Sequence, residues 1–366
     1  MTSLYIHLPF CESKCYYCDF CSGKYSNDVI EKYFDKLVDE ITLSRITDNI
    51  ETIFIGGGTP SSVSSAYIGK ITDAIYKNYS IADNAEISIE CNPNSLTIDK
   101  ANDYKGFGIN RVSLGVQTTS NELLKAIGRI HNFTEYQRAA EIIATKFNNY
   151  NFDLMLGLPN QSLKDVEKTL IDVLKYNPPH ISAYSLILEP STPLAKMVAD
   201  KTISLPNDDF VVKQYDLVHR MLEKINIKRY EISNFAKPQF ECKHNRNYWA
   251  CGEYLGFGIS AHSYKSGVRF SNTSDMKEYI NGTTKLFEET LTLQEKKEEM
   301  IMLALRTGQG LDLNQYSQNF GENLLQQKKK QIANLQKANL IVVDEKNLKI
   351  APNAFYISNS IIEELI

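Results

Sequence analysis

Thr2-Ser3-Leu4-Tyr5-Ile6-His7-Leu8-Pro9-Phe10-Cys11-Glu12-Ser13-Lys14-Cys15-Tyr16-Tyr17-Cys18-Asp19-Phe20 joins an apolar, strand-like stretch to a loop that carries Cys11, Cys15 and Cys18. Three thiolates on one short loop can hold three irons of a 4Fe-4S cluster and leave the fourth iron open. An open iron lets a cluster bind a substrate or cofactor instead of only passing electrons. Structural zinc normally takes four ligands, commonly as two CxxC-type pairs. Here the candidate fourth ligand, Cys21, sits on the same tight loop, and no second pair occurs. A disulfide framework suits a short secreted chain, not 366 residues with seven cysteines. The loop therefore reads as an iron–sulfur site.

The length makes two domains the natural expectation. Lys+Arg 40 against Asp+Glu 44 gives a formal net charge of −4, so no global basic field attracts nucleic acid. The opening residues lack a basic region followed by an apolar run, so no signal peptide is expected. No apolar stretch approaches the roughly 20 residues that a membrane span needs. Free thiols suit a reducing cytoplasm, which is the expected location.

In the first half, short β-rich runs alternate with helical patterns. Expected strands are Leu4–Leu8, Thr52–Ile55, Glu86–Cys91, Arg111–Val116, Asn151–Leu156 and His180–Leu186. Amphipathic stretches Asp28–Arg45, Ser64–Tyr79, Thr134–Thr145 and Leu163–Tyr176 separate most of them. This order predicts an α/β fold of repeated βαβ units, as a partial (β/α)6 TIM-type barrel spanning 1–205. Function is then expected at the strand C-termini, where the cysteine loop lies. Residues 206–288 read as a connecting region with a long helix, Asn207–Ile225, and an Asn-, aromatic- and Gly-rich segment. Residues 289–366 place helix Thr292–Arg306 and two further helices before a hairpin of Leu340–Val343 and Asn347–Ile350, a winged-helix-like α+β order. Residues 290–366 have nine Lys/Arg and nine Asp/Glu, so this part is expected to be a cover or partner surface, not a DNA reader.

Polar and glycine residues recur where the expected strands end. Gly56-Gly57-Gly58-Thr59-Pro60 follows the second strand, and glycine allows backbone to approach a ligand closely. Glu90 closes the third strand, Gln117 follows the fourth, Arg129 comes one helix later, and Asp153 lies in the fifth. Singly, each is more often a capped loop or a surface ion pair; their recurrence at one barrel end is what carries weight.

The CxxxCxxC spacing with GGGTP one strand later resembles the radical S-adenosylmethionine (radical SAM) superfamily. That resemblance implies that Cys11, Cys15 and Cys18 hold the cluster and that S-adenosylmethionine fills the open iron. It further implies that the GGGTP segment contacts the cofactor's amino group. Tyr5, Tyr17, Gly57, Gly58, Thr59, Glu90, Gln117, Arg129 and Asp153 would orient the cofactor, an Arg pairing with its carboxylate and acids accepting from its diol or ammonium. In the superfamily, an electron from the cluster cleaves the cofactor's C–S bond to give a 5′-deoxyadenosyl radical.

Tyr5-Ile6-His7-Leu8-Pro9-Phe10-Cys11 is similar to the opening of the oxygen-independent coproporphyrinogen III oxidase family and its relatives, and the likeness spans nearly the whole chain. Two branches compete. The oxidase branch carries a further cysteine two residues after the third ligand, where this chain has Phe20, and an N-terminal arm ahead of the first barrel strand. The haem-chaperone branch carries an HNxxYW motif, matched by His244-Asn245-Arg246-Asn247-Tyr248-Trp249. The resemblance thus implies haem as ligand, with His244, Tyr248 and Trp249 as candidates, because imidazole can ligate haem iron and flat rings can pack on a porphyrin. It implies respiratory, membrane-bound haemoproteins as acceptors and leaves the electron donor unnamed. His244 read without the motif is an ordinary hydrogen-bonded histidine. The rival readings are oxidative decarboxylation of coproporphyrinogen III and radical chemistry on an unrelated substrate.

Overall fold

The computed structural model describes residues 2–44 and 46–366. Six parallel strands pair in chain order: β1 Thr2–Leu8, β2 Asn49–Gly57, β3 Ser80–Cys91, β4 Arg111–Gln117, β5 Asn149–Leu156 and β6 His180–Ser185. Helices α1 Asn27–Leu43, α2 Ser65–Asn78, α3 Ile98–Gly106, α4 Asn121–Ala126, α5 Phe133–Lys146 and α6 Leu163–Leu174 fill the connections. The expected end of the first helix, Arg45, lies outside the described residues. Helix α3 was not expected: its sequence is mostly polar, and only Ala101 and Tyr104 are buried along it. Local signals do start the others. Asn132 with Glu135 and Ser162 with Asp165 form capping boxes that satisfy first-turn amides of α5 and α6.

Pleating sends successive side chains to opposite sheet faces. On β1 to β6 one face carries Leu4, Ile6, Leu8, Ile53, Ile55, Ile87, Ile89, Val112, Leu114, Phe152, Leu154 and Ile181, all buried. These pack with Leu37, Ile71, Ala140 and Leu170 of the helices into one core. Full burial of each such side chain stabilises the fold by about 1.5–3 kcal/mol. The alternate face is polar and looks into a cavity, as a half-closed (β/α)6 barrel requires.

Residues 206–288 are more than a connector, because they extend the sheet at both edges. After helix Asp208–Glu223, strands β7 Lys228–Arg229 and β8 Asn234–Ala236 continue it antiparallel beyond β6. Helix Lys243–Trp249 then leads to β9 Glu253–Phe257, which pairs parallel with β1 at the opposite edge. Antiparallel strands β10 His262–Lys265, β11 Val268–Asn272 and β12 Lys285–Thr290 complete a twelve-stranded sheet. These strands are two to six residues long, too short for periodicity to reveal them.

The C-terminal part has a core of its own, including Leu305, Tyr316, Leu348 and Phe355. Helices Leu293–Leu305, Leu313–Phe320 and Lys329–Lys337 precede strands Ile341–Val343 and Asn347–Ile350, as a winged-helix order predicts. A further strand, Leu311–Asp312, and a closing helix, Ser358–Glu363, were not expected. The Arg229 guanidinium stacks 3.8 Å from the Phe355 ring centroid and ties this part to the barrel. Among the described residues, no helix is long and apolar enough to cross a membrane.

Candidate functional site

The cysteine loop is held by backbone, not by its sulfurs. The Cys11 N–H donates to Gly23 O at 2.9 Å, and the Gly23 N–H donates to Pro9 O at 2.8 Å, closing the loop at its base. The Gly58 and Thr59 N–H groups donate to Leu8 O and Phe10 O, each at 2.8 Å, and stitch the glycine segment to the loop. Gly58 has no alternative here: a Cβ would lie 2.8–2.9 Å from backbone atoms of Leu8 and Phe10. The glycine segment therefore seats the cysteine loop, a role distinct from the expected approach to a ligand. Farther out, the Tyr16 N–H reaches Ile127 O at 3.0 Å and the Leu194 N–H reaches Tyr16 O at 2.9 Å.

Cys11, Cys15 and Cys18 all line one cavity of about 500 Å3 at the C-terminal ends of the strands, within the size range of cofactor sites. Among the described residues, no three His, Cys, Asp or Glu side chains converge on a single ion. A single zinc would need such convergence. A cubane would not, because each thiolate binds a different iron, so the three half-exposed thiols fit a cluster better than they fit zinc. Burial pushes the Cys11 and Cys18 thiols up, so loading a metal displaces their protons. Arg129 Nη1 lies 3.7 Å from Cys15 Sγ, bringing a positive charge to the loop.

The same cavity gathers Tyr17, Gly57, Gly58, Thr59, Glu90, Gln117, Arg129 and Asp153. Gln117 ends β4 with φ 63°, a left-handed turn that bends the strand end beside the cavity. Arg129 Nη2 donates to Asn92 Oδ1 at 2.8 Å and to the Gly115 carbonyl. Asp153 accepts from Ser113 Oγ at 2.9 Å and from Asn151 Nδ2 at 2.6 Å. Burial, with Asp153 adding repulsion, pushes the Glu90 carboxyl up to about 7, although it accepts from the Gly57 N–H at 3.1 Å. The arrangement offers a guanidinium for a carboxylate and two acids for an ammonium or a diol, beside three thiols. Tyr5 is the exception: its hydroxyl bonds His7 Nδ1 at 3.1 Å, and it faces a neighbouring cavity.

The three haem candidates do not form one ligand set. His244 is buried in the barrel floor, stacked on Phe54 with ring centroids 5.2 Å apart. Its Nδ1 meets Thr52 Oγ1 at 2.7 Å and its Nε2 meets Tyr248 Oη at 2.9 Å, so neither nitrogen is open to a metal. Burial, with Arg111 nearby, pushes this imidazole down to about 3 and keeps it neutral. Tyr248 lines the neighbouring cavity, and Trp249 lines a third one of about 570 Å3 between barrel and C-terminal part. On one short helix the motif thus points in three directions. Asn245 points in a fourth, into the cofactor cavity.

The sequence reading missed several wall residues: Asn92, Arg111, Ser113, Ser182, Tyr184 and Asn245. Four of these belong to the polar alternate set on β4 and β6, so period-two alternation would have found them. Asn245 is brought in only by the floor helix.

Comparison with known proteins gives two family matches: the Radical SAM superfamily over residues 5–173 and the HemN C-terminal domain over 291–357. A Bacillus subtilis protein named heme chaperone HemW is 37% identical, over 88% of each chain. Its namesake from Buchnera aphidicola of Schizaphis graminum is 40% identical over 89% of each chain. The solved structure of the Escherichia coli coproporphyrinogen III oxidase HemN, titled a radical SAM enzyme, superposes with a TM-score of 0.87. It covers 100% of this chain and 89% of its own at 23% identity, which is a likeness of fold.

Proposed function

This chain belongs to the radical SAM superfamily and, within it, to the HemW family, and from that premise we propose that it binds haem and hands it to acceptor haemoproteins. In this reading it works in the cytoplasm, and Cys11, Cys15 and Cys18 hold a 4Fe-4S cluster whose open iron takes an exchangeable S-adenosylmethionine. The observation that carries the reading is the gathering of those thiols, Arg129, Glu90 and Asp153 in one cavity, in a chain alike to haem chaperones over most of its length. Bound there, the cluster would supply one-electron reduction and the cofactor a reducible sulfonium. Arg129 would pair with the cofactor's carboxylate, while Glu90 and Asp153 would accept from its ammonium or its ribose diol. Phe20, half of whose surface or more is open at the cavity mouth, offers no thiol where the oxidase branch has one.

Haem uptake by the anaerobically reconstituted protein, without conversion of coproporphyrinogen III, is the expected result. Conversion of that substrate to protoporphyrinogen would replace this reading with the oxidase. Cofactor cleavage with no haem uptake would point to a different radical substrate.

Glu90 gives the cofactor site a pH dependence. A carboxyl whose folded pKa is raised favours its protonated form. Its contribution to stability is therefore full below the ordinary carboxylate range and is lost as pH rises through about 7. An ammonium bound beside it reverses that preference and expels the proton. Calorimetric titration of the cluster-loaded protein with S-adenosylmethionine, in buffers of different ionisation enthalpy, should show proton release near neutrality and affinity falling on acidification. Affinity independent of pH with no proton release would remove Glu90 from this role.

A further inference from the structure

Beyond the wall made by Tyr5 and His7, a second cavity of about 470 Å3 continues the concave face of the sheet past β1. Tyr254 on β9 and Tyr264 on β10 form its back, and Tyr248 of the floor helix stands edge-on to Tyr254, with ring centroids 4.7 Å apart at 83°. Leu303 of helix Leu293–Leu305 covers it from the C-terminal part. Phe20 lines this cavity and the cofactor cavity alike, so the two meet at the cysteine loop.

An imidazole with no partner faces this space. His7, His180 and His244 each have both ring nitrogens engaged. His131 is buried beside a cleft of only about 20 Å3, and His219 packs on Phe235, with ring centroids 6.2 Å apart, away from both cavities. His262, at the start of β10, is exposed and lines the side cavity, and among the described residues no hydrogen bond occupies its ring. Neutral imidazole is a common axial ligand of haem iron, and aromatic walls suit a flat macrocycle. The cofactor cavity is a poorer host: its walls carry Glu90, Arg111, Arg129 and Asp153, and its sulfurs are needed for iron, whereas the charged pair in the side cavity, Arg269 and Glu299, is bonded to itself.

We propose that the side cavity is the haem site, with His262 as axial ligand and the Tyr248–Tyr254–Tyr264 wall against the porphyrin. This rests on the haem-chaperone reading. It also gives the HNxxYW motif a positioning role, since His244 holds the hydroxyl of Tyr248 and so orients that part of the wall.

The test is titration of the full chain with ferric haem, followed by absorption and by resonance Raman detection of the axial ligand, in wild type, His262→Ala and Leu303→Trp. Both positions are partly or fully exposed, so both variants should fold. His262→Ala is expected to lose the histidine-ligated signature and to bind haem roughly tenfold or more weakly. Leu303→Trp, which keeps His262 but fills the cavity, is expected to weaken binding to a similar degree. Wild-type binding that persists unchanged in His262→Ala overturns the assignment. Binding lost in His262→Ala but unaltered in Leu303→Trp overturns it too, because the haem would then sit outside the cavity. A wild type that takes up no haem overturns the functional reading itself, a result distinct from either.

Discussion

Replacing Cys15 by Ser is expected to abolish cluster assembly while leaving the fold intact. The loop is pinned through Pro9, Gly23, Leu8, Phe10 and Ile127 by backbone hydrogen bonds, and none of them uses a cysteine sulfur. Serine keeps all of these and removes one iron attachment, so only two thiolates would remain for a cubane. Cys21 is poorly placed to substitute: its Sγ donates to Ser274 O at 3.7 Å, and it lines the side cavity, not the cofactor cavity. After anaerobic reconstitution and desalting, iron should fall from about four per chain to near zero, with thermal unfolding little changed. Cys21→Ser should keep its iron. Full iron content and cluster absorbance in Cys15→Ser would refute the ligand assignment.

Glu86→Ala should be strongly destabilising. Glu86 is 5% exposed on the polar face of β3. Its Oε2 accepts from the Lys243 N–H and its Oε1 from the His244 N–H, both at 3.2 Å, and Cys242 Sγ donates to it at 3.4 Å. A barrel carboxylate therefore caps the helix that carries the HNxxYW motif, where first-turn amides and the helix dipole both favour an anion. It also offsets the buried Arg111. Burial alone would lower that guanidinium's pKa, but the carboxylates of Glu86 and Asp153 act against this and hold it charged. Removing Glu86 would leave two amides without an acceptor and a buried cation with only Asp153 to offset it, at a cost of about 2–5 kcal/mol. Glu86→Gln, which keeps an acceptor, should lose less. Calorimetric unfolding of the three proteins measures this directly. An Ala variant that melts with the wild type would show that the floor helix is held by something else.

The cysteine loop, the six parallel strands and part of the cavity wall were legible because each is a local signal. Ligand spacing, glycine at a strand end and short β-rich runs need no knowledge of distant partners. The edges of the sheet were not legible. β9 has five residues and no periodicity to read, and it exists because it pairs with β1 some 250 positions earlier, Thr2 opposite Glu253. The same holds for the motif helix. The family resemblance grouped His244, Tyr248 and Trp249 as haem candidates, yet Glu86 and Thr52, both far away in sequence, turn His244 into the floor and leave Tyr248 and Trp249 facing different spaces. Tyr5 shows the same dependence on distant partners: it stacks on Phe54 of β2, its hydroxyl bonds His7, whose ring packs against Gly57, and both line the neighbouring cavity.

Mössbauer spectroscopy of the anaerobically reconstituted protein, with and without S-adenosylmethionine, tests the three-thiolate site most directly. One iron of the four should be distinct and should change its isomer shift when the cofactor is added. Four irons that ignore the cofactor, or a preparation that retains only zinc, would contradict an open corner on the cluster.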